Sequence, residues 1–409
     1  MFTPSDVQIG RVHSQLDTLA QIGRQPSGGV TRYTFSPDHL QVTHLTAAWM
    51  SAAGLDVLFD RWGNLVGHSP GVGPMVMSGS HLDSVPNGGH YDGVLGVIAA
   101  LEAVTLILEQ GLPVRKPLAV VSFIEEEGAR FHGLLGSTLA VGQLNDAEID
   151  AIRDGQGVGF RDALADSSFG YPLTDFDFRS DSDSFLELHI EQGKRLERAG
   201  IPIGIVTSIA GPTFMQVTFT GQADHAGATE YEDRHDTLLA AAEFIVALRE
   251  LGTSRFAGRG HMTVGKIAAR PNVTNVVAGE TIFSVDYRAA DVQTAAEMAE
   301  AIDELLAVTA ARQRVTWHAE IGHQTPPTPA RDRIRSAVET GADRAGAAHQ
   351  PVVSWAAHDT MNMASVCDAG MIFVPCRDGR SHTPEEYVRP EDIATGIAVL
   401  ANALLMLAQ

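Results

Sequence analysis

The stretch PLAVVSFIEEEG, Pro117–Gly128, is an apolar run that ends in three consecutive carboxylates, Glu125, Glu126 and Glu127. A short apolar run of this kind reads as a buried strand. Adjacent like charges repel, and burying them unpaired is very costly. Either the acids face solvent, or something strongly positive lies among them. The neighbouring segments bear on the choice. GPMVMSGSHL (73–82) is another apolar strand with a polar end, and DGVLGVIAALEAVTLILEQG (92–111) is a helix stopped by Gly111. Apolar strands alternating with helices predict an α/β domain whose sheet is covered on both faces.

The same pattern organises much of the chain. SPDHLQVTHLTAAWMSAA (36–53) has helical apolar spacing, with Ser36-Pro37-Asp38 as its start and Gly54 as its stop. From 211 the pattern changes. GPTFMQVTFTGQ reads as a strand, 233–252 as a helix, GHMTVGKIAA and GETIFSVDYRA as two strands, 291–312 as a helix and RVTWHAEIGH (314–323) as a strand. That order, β-α-β-β-α-β, is the split-βαβ sandwich. TPPTP (325–329) is a Pro-rich linker out of it. A helix near 330–347, the strand MIFVP (371–375) and a helix from 390 then resume the first pattern. The reading is a discontinuous α/β domain, 1–210 and 327–409, interrupted by an inserted α+β domain, 211–326.

Lys plus Arg total 29 against 50 for Asp plus Glu, a formal net charge of −21 over 409 residues. Such a surface opposes nucleic acid and anionic lipid and is compatible with divalent cations. The two cysteines, Cys367 and Cys376, make no disulfide framework, so a cytoplasmic location is expected. The start has no apolar signal region, and the apolar helix candidate Val94–Leu108 contains Glu102 and is too short to span a bilayer. No membrane association is expected.

Unusual groups stand at the carboxyl ends of the predicted strands, where open α/β sheets place their sites. They are His81 and Asp83 in GSHLDSV, Asp92 in GGHYDG, the glutamates, His189 in LELHIEQG and His382 in DGRSHTPEE. Singly, each has a plainer reading. Asp92 is a common type of helix cap, a strand-end histidine is commonly a hydrogen-bonded loop residue, and a glutamate run is commonly solvated. Together, imidazoles and carboxylates without cysteine fit a divalent site of N and O ligands. One acid would ligate and a neighbour act as base. Periodicity cannot assign those roles, because the turn into Gly128 breaks strand alternation.

The ordered set GGVTR (28–32), WGNL (62–65), GSHLDSV (79–85), GGHYDG (88–93), EEGARF (126–131), LELHIEQG (186–193), DHAGAT (224–229), PNVTNVVAGE (271–280), DYR (286–288) and MIFVPCRDG-SH-PEEY resembles the M20 metallohydrolases. Within them it is similar to the hydantoinase/carbamoylase branch. The resemblance implies two divalent ions, with zinc, manganese, cobalt and nickel all admissible. It implies His81 and His189 each holding one ion, Glu127 and His382 completing the shells, and Asp92 bridging. Glu126 would be the general base and Asp83 would orient His81. The inserted domain would be a ferredoxin-like lid through which a homodimer forms. His225, Asn275 and Arg288 would contact substrate, and Gln192 would lie on the substrate side or support a ligand from behind. The implied reaction is hydrolysis of N-carbamoyl-L-amino acids to amino acid, ammonia and carbon dioxide. Allantoate hydrolysis is the alternative, and dipeptide or N-acyl amino acid cleavage a more distant one. The chain departs from the family pattern at Glu230-Tyr231 after HAGAT, at Trp355 and Ala357 in SWAAHD, and at Arg380. These positions bear on which ureido acid is accepted.

Overall fold

A computed structural model of the chain describes every residue except Ser168. It divides into two compact units. One comprises Met1–Thr207, Ala330–Ser354 and His358–Gln409; the other comprises Ser208–Pro329 and Trp355–Ala357.

The larger unit is built on a mixed sheet. Across it run Ile203–Ile209, Asp368–Val374, Ser182–Ile190, Met75–His81, Leu118–Phe123, Leu65–His68, Asp56–Asp60 and Leu173–Thr174, with His349–Ser354 also paired to the first. The middle four, Asp368–Val374 to Leu118–Phe123, are mutually parallel. Antiparallel strands flank them on each side. Parallel strands need both faces covered, and both are. Val94–Glu109, Asp332–Ala345 and Pro390–Ala408 contribute to one buried cluster, which includes Leu101, Val338 and Leu400. Met77, Val121, Phe123, Phe178, Phe185 and Met363 form a second.

Two helices show how sequence meets packing. Ser36 caps Pro37–Ala52 by accepting from the His39 N–H, as its sequence predicts. Val94–Glu109 is buried almost all round, and its Glu102, 1% exposed, is matched by Arg11 Nε at 2.7 Å and the Gln8 N–H at 3.0 Å. Pro390–Ala408 is the one helix among the described residues long and apolar enough to cross a membrane. Within its most apolar window, 83% is buried in the protein interior.

The smaller unit has its own core around Phe219, Phe244, Phe283, Tyr287 and Ile302. Its antiparallel sheet runs Gly260–Thr263, Glu280–Ala289, Gly211–Thr220, Thr316–Gln324, with Thr237–Ser254 and Val292–Gln313 as its helices. GHMTVGKIAA is not one strand, as its sequence suggests, but two, Gly260–Thr263 and Ile267–Arg270. Thr263 faces Asp286 and Ile267 faces Phe283, so one strand carries an extra residue there. The interruption is a bulge around Gly265, tied by Lys266 N–H to Ser284 Oγ at 3.1 Å. TPPTP is not wholly free linker either: Thr328–Pro329 pairs with Ile209 and Ser208.

Candidate metal centre

The four central parallel strands all deliver polar side chains at their carboxyl ends. His81 ends Met75–His81, His189 stands near the end of Ser182–Ile190, Glu126 and Glu127 follow Leu118–Phe123, and His382 lies in the loop after Asp368–Val374. Strand neighbours lie about 4.8 Å apart, so side chains at one level meet. Asp92 joins them from the turn that starts Val94–Glu109.

Asp92 is the hub. Its Oδ1 lies 3.2 Å from His189 Nε2 and 3.5 Å from His81 Nε2. Its Oδ2 lies 3.5 Å from His382 Nε2, which is 3.3 Å from Glu127 Oε2. Two ligand groups result, His81–Asp92–His189 and Asp92–Glu127–His382, the candidate atoms of each lying within 4.8 Å of one another. The division differs from the sequence expectation, which gave His81 and His189 to different ions. Met77 pairs with Phe185 and Ser78 with Leu186, so continuing the register puts the two histidines side by side, facing one Asp92 oxygen. Glu187, His189 and His358 form a third group. There Glu187 already accepts from Ser80 Oγ and from Thr360 Oγ1.

The imidazoles are oriented from the rear. His81 Nδ1 donates to the Asp83 carbonyl at 3.2 Å and His189 Nδ1 to the Ile190 carbonyl at 3.0 Å, leaving both Nε2 atoms toward Asp92. The Asp83 carboxylate is 3.6 Å from His81 Nδ1. Its hydrogen bonds come instead from the Glu126 N–H at 3.2 Å and the Glu127 N–H at 3.1 Å. Asp83 therefore orients His81 through its main chain and anchors both glutamates through its side chain.

The three glutamates separate. Glu125 takes positive φ (+52°), is fully buried, and accepts the Arg130 and Phe131 N–H groups at 2.7 and 2.6 Å. Glu126 Oε2 turns to His81 Nε2 at 3.6 Å, and Glu127 turns to His382. Glu125 and Asp92 are buried and the Glu126 and Glu127 side chains are only 10% and 6% exposed, and no Lys or Arg pairs with Asp92, Glu126 or Glu127 among the described residues. Their ionisation reflects this. Burial and the nearby Glu127 push the Glu126 carboxyl well above its ordinary range, and burial with Asp92 pushes Glu127 up to about 8. Burial works against protonated His81 and His189, yet the carboxylates raise His81 well above normal and His189 to about 8. Burial also opposes the Asp92 charge, yet the two imidazoles hold its carboxyl well below normal. Buried carboxylates with no cationic side chain, facing imidazole nitrogens, fit divalent ions.

Gln192, also at positive φ (+55°), donates through Nε2 to Asp92 Oδ2 at 2.8 Å, while its Oε1 is buried without a partner among the described residues. Ser381 Oγ donates to the same Asp92 oxygen. Sequence reasoning missed Ser381, and it missed Glu386, whose carboxylate accepts the Tyr91 and Asp92 N–H groups. Both flank His382 in the SHTPEE motif, which was the available signal.

In the smaller unit, His225 and Asn275 are brought together, since Ala226 N–H donates to the Asn275 carbonyl at 3.0 Å. His225 Nδ1 accepts from Gly227 and Ala228 N–H, both at 3.1 Å, so its Nε2 carries the proton and is a donor. Arg288 pairs with Asp286 through Nε and Nη2 at 3.2 and 3.0 Å and donates from Nη1 to the Trp355 carbonyl at 2.8 Å. Tyr231 is 81% exposed. Burial pushes the Cys376 thiol up to about 12, which suits a small packed residue and not a nucleophile.

The sequence pattern of peptidase family M20/M25/M40 matches residues 77–406. The N-carbamoyl-L-amino acid amidohydrolase of Geobacillus stearothermophilus is 37% identical, over 98% of this chain and 99% of that protein. The allantoate amidohydrolase of Bacillus subtilis (strain 168) is 34% identical over 96% of each. A hydantoinase/carbamoylase family amidase from Burkholderia multivorans has the same fold, with a TM-score of 0.92 at 33% identity over 98% of each chain.

Proposed function

The chain belongs to peptidase family M20/M25/M40, and on that premise we propose that it is a dinuclear metal-dependent amidohydrolase of N-carbamoyl-L-amino acids. One water is consumed: R–NH–CO–NH2 and H2O give R–NH2, NH3 and CO2. The observation that carries the reading is the pairing of Glu126 with Glu127, one directed to His81 and the other to His382, in a chain that is 37% identical end to end to an enzyme of this activity.

His81, His189 and Asp92 would hold one ion, and Asp92, Glu127 and His382 the other. Zinc, manganese, cobalt and nickel all suit N and O donors. Bound there, divalent ions supply Lewis-acid polarisation of the ureido carbonyl and lower the pKa of a water. The chain's own residues do the rest. Glu126 Oε2, beside the ligand groups and free of a Lys or Arg partner, accepts the proton of the attacking water and delivers it to the leaving nitrogen. His225 Nε2–H and the Asn275 amide donate to the developing oxyanion, each such donor contributing roughly 3–4 kcal/mol. Arg288 grips the substrate carboxylate once Asp286 yields its place. The smaller unit is a lid that pairs two subunits, and the enzyme works in the cytoplasm, where its two free cysteines stay reduced.

Allantoate is the second reading, favoured by the Bacillus subtilis relative at 34% identity. A panel of N-carbamoyl-L-methionine, allantoate, a dipeptide and an N-acetyl amino acid, each with Mn²⁺, Zn²⁺, Co²⁺ or Ni²⁺, separates the readings. Ammonia release from the carbamoyl substrate is expected. Release from allantoate alone moves the assignment to the second reading, and failure on both removes both readings.

A further inference from the structure

Glu386 comes from the second E of PEEY, 294 residues after Asp92. It is 2% exposed. One oxygen, Oε1, accepts two consecutive N–H groups, Tyr91 at 2.7 Å and Asp92 at 2.9 Å. The other, Oε2, is buried with no partner among the described residues. An orphaned buried oxygen costs free energy that an apolar residue of similar size would avoid. The benefit that offsets it must lie in what Oε1 does. A Cβ on Gly89 would fall on this carboxylate, so position 89 leaves it room.

The turn 88–92 is thereby tied at both ends. Gly88 exchanges backbone hydrogen bonds with Val30 at 2.8 and 3.0 Å, and Glu386 holds Tyr91 and Asp92. The same loop brings Ser381 Oγ onto Asp92 Oδ2 and His382 Nε2 to 3.5 Å from it. One segment therefore fixes the backbone of Asp92 through Glu386 and its side chain through Ser381. We propose that Glu386 is a positioning residue that locks the Asp92 turn, so that the Asp92 carboxylate stands between the two ligand groups before any ion binds. This rests on the metal-centre reading above.

Three variants test it: Glu386→Ala, Glu386→Gln and Gly89→Ala. Each is compared with wild type for Mn²⁺ affinity by chelator competition, for melting of the metal-free protein, and for kcat and KM at saturating Mn²⁺. Supports of metal ligands typically matter 10- to 100-fold. Glu386→Ala should bind Mn²⁺ about 10- to 100-fold more weakly and lower kcat with KM little changed. Glu386→Gln keeps a carbonyl for both N–H groups and should restore affinity to within about threefold of wild type, because the acceptor and not the charge holds the turn. Gly89→Ala, which displaces the carboxylate without removing it, should resemble Glu386→Ala and stands in for it should that variant not fold. Wild-type affinity and kcat in Glu386→Ala or Gly89→Ala, or a Gln variant as impaired as Ala, overturns the proposal alone. Wild-type protein that takes up no divalent ion removes the metal reading and the proposal with it.

Discussion

Three identical side chains at consecutive positions, Glu125–Glu127, serve three partners because the backbone turns between them. Positive φ at Glu125 aims its carboxylate at the Arg130 and Phe131 amides, and Asp83 then pins the next two amides. Left-handed backbone outside glycine costs free energy and clusters at functional positions. It recurs at Gln192 and His382. If Glu126 moves the proton, Glu126→Gln lowers turnover about 10²- to 10⁴-fold while metal content and melting stay as in wild type. Loss of bound metal together with activity would assign Glu126 to the ligand set instead. A second prediction concerns pH. In the metal-free protein Glu127 and His189 each titrate near 8, so below that value both hold protons that an incoming cation must displace. Divalent-ion affinity should therefore rise between pH 6 and pH 8, with proton release on binding at pH 7. Calorimetry in buffers of differing ionisation enthalpy measures this, and pH-independent uptake without proton release contradicts it. The sequence identified His81, Asp92, Glu127, His189 and His382 as chemically unusual strand-end groups. It could not reveal that Gln192 and Ser381 both donate to Asp92, because those contacts depend on backbone angles and loop returns that residue order does not encode.

Elements place these residues by packing closely, and glycine sets how closely. Gly96 on Val94–Glu109 faces the next layer so tightly that a Cβ would lie 2.5 Å from the Leu188 carbonyl oxygen and 2.7 Å from Ser80 Cβ. Gly10 on Ile9–Gln21 would meet nothing within 4 Å. Glycine to alanine in a helix normally adds up to about 1 kcal/mol. Gly10→Ala should gain a few tenths to about 1 kcal/mol, whereas Gly96→Ala should lose about 1–3 kcal/mol by overpacking against the strands that carry His81 and His189. Urea midpoints of the two variants give the signs directly, and a stabilised Gly96→Ala would mean the helix can withdraw at no cost. Pro37–Ala52 and Val94–Glu109 were legible because each is long and carries its own start or stop signal, Ser36-Pro37-Asp38 with Gly54 for the first and Gly111 for the second. Leu65–His68 and Asp56–Asp60 were not, since strands this short are defined by their partners. The bulge at Gly265 was invisible for the same reason, because its extra residue exists only relative to Glu280–Ala289.

At the scale of the whole molecule, the chain leaves the larger unit after Thr207 and re-enters it at Ala330, where the Ala330 N–H donates to the Thr207 carbonyl at 3.0 Å. The two points are hydrogen-bonded neighbours, so a short Gly/Ser link could join them without straining the sheet. All five proposed ligands and Glu126 lie in the larger unit, whereas His225, Asn275 and Arg288 lie in the smaller. Each unit has a separate hydrophobic core. Metal binding and transition-state support should therefore come apart on cutting. A chain lacking 208–329, closed by such a link, should fold and bind divalent ions near wild-type affinity. It should also lose at least about 10²- to 10³-fold in turnover, the effect of one missing oxyanion donor. Circular dichroism, metal analysis and ammonia release on one preparation decide the matter. Near-normal turnover in the shortened chain would mean the smaller unit supplies nothing the reaction needs. A folded product without metal would mean the larger unit is not sufficient to order the ligands it carries.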